Sequence, residues 1–150
     1  MIVSLLSLFL TAHGAECSWQ SGLPCTFGPC SFFTDASGVL DRTGSCPEKT
    51  GHLILSNKGI NALKDGVFNN MGACRQLSLS SNKLSHLPET IFRGLTNSSN
   101  LQGLYLDSNQ LSNLPETIFR GLTRLHVLNL GHDWLSNLPE KIFRGLTSLE

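Results

Sequence analysis

The sequence predicts a solenoid, a fold in which short structural repeats stack around one elongated core. Segment 84–96 (LSHLPETIFRGLT) recurs almost unchanged as 111–123 and 135–147, and a more diverged copy covers 60–72. Each copy follows a short stretch in which leucines alternate with other residues, the pattern of a strand with one buried face. One such strand cannot bury its leucines alone. Stacked copies pair their strands in parallel and join the leucines into a continuous core.

The strand stretches follow the form L-x-L-x-x-N-x-L. Their leading leucines are Leu53, Leu77, Leu104 and Leu128. The pattern resembles that of the leucine-rich-repeat family, and the Leu-Pro and Phe of each second half are similar to the subtype common in extracellular receptors and matrix proteins. The resemblance covers residues 51–150. It implies an α/β-type, horseshoe-shaped solenoid with a parallel β-sheet on the concave face and loops or short helices on the convex face.

The second half of each repeat should return the chain to the next strand. Prolines are expected to fix that return, at Pro88, Pro115 and Pro139. Phenylalanines at matching positions should stack inside it, at Phe68, Phe92, Phe119 and Phe143. In the family, an asparagine after each strand bonds to backbone groups of the turn. Asn82 and Asn109 match that role, whereas Lys58 and Asp133 depart from it, which puts the asparagine ladder in doubt at the first and fourth repeats.

The first fifteen residues have the pattern of a secretory signal peptide. Residues 2–10 are almost wholly apolar, and small residues follow before the first charge, Glu16. The stretch is shorter than the roughly 20 apolar residues that span a bilayer. A buried strand or helix at the start of a domain is the alternative interpretation. The expected organisation is a signal peptide at 1–15, a cysteine-containing cap at 16–50 and repeats at 51–150, with the mature chain secreted or on the extracellular face of the cell surface.

The cysteines indicate a disulfide-stapled cap. Four of them cluster after the cleavage point: Cys17, Cys25, Cys30 and Cys46. In an oxidising compartment such a cluster favours disulfides, and its three possible pairings stay open. Cys25 and Cys30 come near the spacing of a zinc site, but the signal peptide favours disulfides, so no metal is expected. Cys74 stands where other repeats have leucine, so it is either a buried free thiol, the preferred interpretation, or a partner of Cys46.

Two irregularities interrupt the repeats. The loop after the second return segment is three residues longer than the next one and contains the acceptor sequence Asn97-Ser98-Ser99, which predicts an N-linked glycan on Asn97. At the other irregularity, Leu149 occupies the leading position of a fifth repeat and no second cap follows. We therefore expect an N-terminal fragment, in which membrane attachment would come only from a segment beyond Glu150.

Composition and motifs exclude several functions. The eleven basic and eleven acidic residues balance, so no net field attracts nucleic acid or an anionic membrane. The chain has no G-x-S-x-G, H-E-x-x-H, P-loop or dinucleotide-binding motif. We expect no enzymatic activity and no cofactor.

Binding is expected on the strand surface, because the return halves are nearly identical while the strand positions differ. Drift after duplication is the competing explanation of that variety. The candidate ligand-binding residues are Gln76, Ser78, Ser80, Lys83, Tyr105, Asp107, Gln110, Asn129, His132 and Trp134. Tyr105 and Trp134 are the strongest, since rigid aromatics dominate hot spots, although Trp134 could instead pack over Gln110. The charged columns of the return halves are interpreted as a solvated face.

The expected function is macromolecular recognition of a protein or glycan ligand by a leucine-rich-repeat ectodomain. A structural or adhesive component of the extracellular matrix would use the same fold for lateral assembly. The sensing half of a receptor kinase, whose other domains are missing, is the third possibility.

Overall fold

The computed structural model describes residues 25–27, 30–46, 51–96 and 100–150 of the chain. Within them the strands are β1 (Cys25–Phe27), β2 (Cys30–Thr34), β3 (Val39–Thr43), β4 (His52–Ile54), β5 (Ala62–Leu63), β6 (Gln76–Ser78), β7 (Gly103–Tyr105) and β8 (Val127–Asn129). A 3₁₀ helix spans Arg93–Leu95. The predicted signal peptide, Cys17 and the predicted glycan acceptor at Asn97 lie outside the described residues, and so does the side chain of Cys25.

One sheet is built by the repeats. Its order is β4-β6-β7-β8, every pair is parallel, and the leading leucines Leu53, Leu77, Leu104 and Leu128 are in register. Each strand is only three residues long. Backbone bonds continue past the strands, as in Leu55 N–H to Ser78 C=O at 2.8 Å. The predicted solenoid-type fold with a parallel sheet is confirmed.

The leucines lie on the inner side of this sheet. Leu53, Leu77 and Leu104 are fully buried, because each repeat is packed between two others or between a repeat and the cap. Leu128 is only half-buried, because β8 has a neighbouring strand on one side only within the described part of the chain. The core is therefore continuous along the stack and becomes more exposed at the fourth repeat.

Stacked phenylalanine rings run through the return halves. Phe68 and Phe92 have ring centroids 6.5 Å apart, and Phe92 and Phe119 are 6.2 Å apart, both nearly parallel. Phe32 of the cap extends the stack at 6.3 Å from Phe68, which the repeat pattern could not predict. The prediction for Phe143 is wrong: this side chain is 43% exposed, because no further repeat of the described chain covers it.

The cap is a three-stranded antiparallel sheet, β1-β2-β3, whose β2–β3 hairpin is joined to the first repeat. β2 and β3 pair antiparallel, and β3 pairs in parallel with β5, which belongs to the return half of the first repeat. A disulfide links Cys30 to Cys46, which excludes the Cys46–Cys74 alternative. Arg42 Nη1 donates to the Asn69 carbonyl at 2.7 Å. The cap thus binds the first repeat through backbone pairing, a side-chain bond and the shared phenylalanine stack.

Among the described residues, no helix has the length and apolar character needed to cross a membrane.

Candidate functional site

The outer side of the repeat sheet carries two aligned rows of side chains. Strand register places His52, Gln76, Gly103 and Val127 in one row. The same register aligns Ile54, Ser78, Tyr105 and Asn129 in the other. Because side chains alternate along a strand, both rows face away from the buried leucines between them.

A third row lies just before the strands. The Gln102 amide donates to the Arg75 carbonyl at 2.7 Å, and the His126 amide donates to the Gln102 carbonyl at 2.9 Å. These bonds extend the parallel ladder by one residue and hold Arg75, Gln102 and His126 side by side.

The first and third rows enclose a groove of about 310 Å³. Its lining residues are His52, Arg75, Gln76, Gln102, Gly103, Tyr105, His126 and Val127. No aspartate or glutamate of the described ranges lines it, so the fixed charge that these ranges give it is the guanidinium of Arg75. Of the candidate residues predicted from sequence, only Gln76 and Tyr105 belong to this groove.

Gly103 allows Tyr105 to lie across the floor of the groove. A Cβ at position 103 would come within 3.0 Å of Tyr105 Cε2 and 3.4 Å of its hydroxyl oxygen. The tyrosine ring therefore occupies the space that a side chain at position 103 would fill. An aromatic surface with a polar tip is thereby presented beside Arg75.

The ring of His126 is oriented by a backbone carbonyl. Its Nδ1 lies 2.7 Å from the Arg124 carbonyl oxygen. A carbonyl only accepts hydrogen bonds, so Nδ1 carries the proton and Nε2 is the nitrogen left for another partner.

A chain of hydroxyls crosses the centre of the sheet. Ser78 Oγ lies 2.6 Å from Ser56 Oγ and 3.3 Å from Ser80 Oγ, and Ser80 donates to Asp107 Oδ1 at 2.7 Å. The prediction that Ser78 is an exposed position is wrong, because it is only 8% exposed.

The asparagine ladder is present at the second and third repeats. Asn82 Oδ1 accepts the amides of Lys58 and Ile60 at 3.0 and 3.1 Å, and its Nδ2 donates to the Leu55 carbonyl at 2.9 Å. Asn109 accepts the Leu84 amide at 3.1 Å and donates to Leu79 and Leu106 carbonyls. Each asparagine therefore bonds to the backbone of the preceding repeat, so the amides that follow β4 are held by Asn82 although position 58 is a lysine.

Asp133 provides only half of the same function. Its Oδ1 accepts the Leu111 amide at 3.1 Å, but its Oδ2 is buried without a hydrogen-bond partner. Burial raises the pKa of Asp133, and Asp107 adds to that rise, while the amides of Leu111 and Asn109 oppose it. At the fourth repeat, Asp133 therefore keeps the hydrogen-bond acceptor of the ladder but lacks the donor that an asparagine would provide.

A left-handed backbone position precedes each ladder residue. Its φ is 57° at Asn57, 56° at Ser81, 58° at Ser108 and 58° at His132. His132 is exposed at this turn, and Trp134 follows it, 66% exposed. Such exposure disfavours the packing of Trp134 over Gln110. Neither His132 nor Trp134 lines the groove, and the same is true of the other candidates, Ser80, Lys83, Asp107, Gln110 and Asn129.

Cys74 is a free, buried thiol. Burial raises its pKa to about 12, against the weaker opposing effect of backbone hydrogen bonds. The thiolate is therefore scarce at neutral pH, and Cys74 acts as a small apolar residue in the position of a leucine.

The return halves carry a second concavity. It encloses about 430 Å³ between the third and fourth repeats, and its charged lining residues are Glu116, Arg120, Lys141 and Arg144. Within the described residues, no group of three or more His, Cys, Asp or Glu side chains could hold a metal ion.

Six residues that line the groove are not among the candidates chosen from the sequence: His52, Arg75, Gln102, Gly103, His126 and Val127. The variable strand surface predicted from the sequence includes all of them except His52. Arg75, Gln102 and His126 each precede a leading leucine by two positions, which strand alternation alone assigns to the inner side. The signal in the sequence is that the position two residues before the leading leucine is polar in three successive repeats.

These features define a protein of the repeat-solenoid class with an open, polar sheet face. The family profile described as Leucine rich repeat matches residues 51–102 and 99–150, together two thirds of the chain. The chain therefore belongs to the leucine-rich-repeat family, whose domains generally mediate protein recognition and are typically not enzymes. A comparison with curated proteins found no match.

Proposed function

We propose that this chain is the recognition domain of a secreted or cell-surface protein and binds a macromolecular ligand through the outer side of its repeat sheet. The observation that carries the proposal is the groove between His52 and Val127, which combines one cation, amides and the Tyr105 ring on a rigid surface. Sites built on strands position side chains more reproducibly than sites on loops.

Variation among the repeats supports the same surface. The return halves keep almost the same residues, because they pack the phenylalanine stack and the proline turns. Pro88, Pro115 and Pro139 each accept a backbone hydrogen bond from the isoleucine three residues on, at 3.1 to 3.2 Å. The outer strand positions carry no such constraint, yet all four repeats place polar side chains around one groove. If the solenoid has the family's horseshoe curvature, this face is its concave side.

The location of the protein is part of the proposal. The apolar residues 2–10, the Cys30–Cys46 disulfide and the acceptor sequence at Asn97 all suit the secretory pathway. When the chain is expressed in secreting animal cells, the protein recovered from the culture medium should begin at Ala15 or Glu16. Its mass should fall after glycosidase treatment. An intracellular product that keeps residues 1–15 would contradict secretion.

Recognition itself is tested by a binding screen followed by paired substitutions. The secreted chain, displayed as a multimer, is measured by surface plasmon resonance against purified extracellular proteins and a glycan array. We expect Tyr105→Ala and Trp134→Ala each to weaken a confirmed interaction by roughly 30-fold, the effect of a hot-spot residue. Glu140→Ala, on the exposed return half, is the matched control and should leave affinity unchanged.

Three outcomes would contradict the proposed surface or function. Unchanged affinity in both aromatic variants moves the site elsewhere. Loss of affinity only in return-half variants assigns binding to the opposite side. Self-assembly without any heterologous ligand favours a structural matrix component.

A further inference from the structure

We propose that the groove holds an acidic side chain of a protein ligand, with the carboxylate bound by Arg75 between His52 and His126. This concavity, the Arg75 groove, is lined by those residues together with Gln76, Gln102, Gly103, Tyr105 and Val127. This inference rests on the proposed function and specifies the chemistry that the surface recognises.

The charge of the Arg75 groove favours an anion. Arg75 is exposed, and no acidic side chain of the described chain lines the groove to neutralise it. Asp107, which follows β7, does not line the groove and already accepts a hydrogen bond from Ser80 at 2.7 Å. Glu150 continues the third row beyond His126, to whose carbonyl its amide donates at 3.0 Å, but it does not line the groove. Among the described residues, the guanidinium therefore has no acidic side chain beside it in the groove.

The donors around Arg75 match a carboxylate. An ionised carboxylate only accepts hydrogen bonds and has about four acceptor positions. A guanidinium can fill two of them in a planar, bidentate arrangement. The amides of Gln76 and Gln102 and the hydroxyl of Tyr105 are further donors on adjacent strands. Parallel strands are about 4.8 Å apart, so these groups lie within the reach of one side chain and its backbone.

The small number of cations in the groove favours a protein ligand over a polyanionic polymer. A sulfated glycan or a nucleic acid carries repeated charges, and its binding requires several cations along a track. Within the described part of the chain, the Arg75 groove offers one permanent cation, and its remaining lining is amide, imidazole, aromatic and apolar. One aspartate or glutamate, flanked by neutral residues that pack on Tyr105 and Val127, fits this composition.

The test uses two short probes that differ only in charge. Acetylated, amidated Gly-Asp-Gly and Gly-Asn-Gly peptides are titrated into the full secreted chain labelled with ¹⁵N, and chemical shifts are followed by NMR. The Asp peptide should produce saturable shifts at Arg75, Gln102 and His126, with at least about tenfold tighter binding than the Asn peptide. A heparin-derived disaccharide serves as a third probe.

Matched variants locate the contact. Arg75→Gln should abolish the preference for the Asp peptide, and Arg75→Lys should restore only part of it, because lysine cannot form the bidentate pair. Arg120→Gln removes a cation from the second concavity and should leave binding unchanged. Folding of each variant is verified by its unfolding midpoint.

Several results would overturn the inference. These are equal affinity for both peptides, no shift at Arg75 up to about 10 mM peptide, or loss of binding in Arg120→Gln alone. Tighter binding of the disaccharide that depends on Arg75 would make the ligand a glycan. A screened partner whose affinity is lost with Tyr105→Ala but kept with Arg75→Gln would refute carboxylate binding while leaving the recognition function intact.

Discussion

At the scale of single residues, Asp133 shows how one atom changes the ladder between repeats. Asn82 and Asn109 use an acceptor and a donor to join neighbouring turns, whereas Asp133 has a second acceptor where the donor should be. A buried acceptor without a partner costs about 1 to 3 kcal/mol. Protonation of Oδ2 would create the missing donor, which agrees with the raised pKa of Asp133.

Asp133→Asn should therefore stabilise the protein at neutral pH by about 1 to 2 kcal/mol. Because the folded pKa of Asp133 lies above its unfolded value of 3.8, the folded state binds this proton more tightly. The wild-type chain should recover stability relative to the variant as pH falls through the raised pKa towards the unfolded value. Urea unfolding of both proteins at several pH values measures the difference. A constant difference at all pH values would contradict this explanation.

At the scale of elements, the return halves show that identical sequences can adopt different backbones. The sequence Arg-Gly-Leu-Thr occurs in three repeats, but Gly94 lies in a 3₁₀ helix, while Gly121 and Gly145 have φ of 91°. A Cβ at Gly94 would collide with the Phe68 carbonyl and the Asn69 Cα, so this segment packs directly on the preceding return half. The difference coincides with the three additional residues that follow in that repeat.

The phenylalanine stack makes a prediction for the same elements. Phe92 lies between two other rings and is 1% exposed, whereas Phe143 is 43% exposed. Phe92→Ala should cost about 3 to 5 kcal/mol, because it opens a cavity in the core. Phe143→Ala should change stability by less than about 1 kcal/mol, as surface substitutions do. Equal losses in urea unfolding would show that Phe143 is covered in the folded protein.

At the scale of the whole molecule, the described strands of the cap and the repeats each contact their immediate neighbours in a sheet. The cap hairpin reaches the first repeat through β3 and β5, and its Asp41 carboxylate accepts a bond from Lys64 at 2.6 Å. The hydrogen bond from Lys64 is the largest of the effects that lower the pKa of Asp41. In such an array, damage to one unit spreads mainly to the next.

Removal of the cap disulfide should therefore act locally. Residues Cys30 and Cys46 are 16 positions apart, and closing a loop of that size contributes about 3 kcal/mol. The double variant Cys30→Ala/Cys46→Ala should lose hydrogen-exchange protection in β2, β3 and β5, while amides of β7 and β8 keep most of theirs. Uniform loss of protection along the chain would indicate a single cooperative unit instead.

The sequence by itself determined the repeat period, the inward leucines, the ladder asparagines and three of the four rings of the observed stack. These features follow from local spacing, because the alternation of a strand and the stacking of equal units leave one consistent arrangement. The disulfide partners, the place of Phe32 in the stack and the two conformations of Arg-Gly-Leu-Thr were decided by the tertiary structure. So was the position of the Tyr105 ring against Gly103 in the groove. Each of these depends on which distant segments pack together, a relation that local periodicity does not contain.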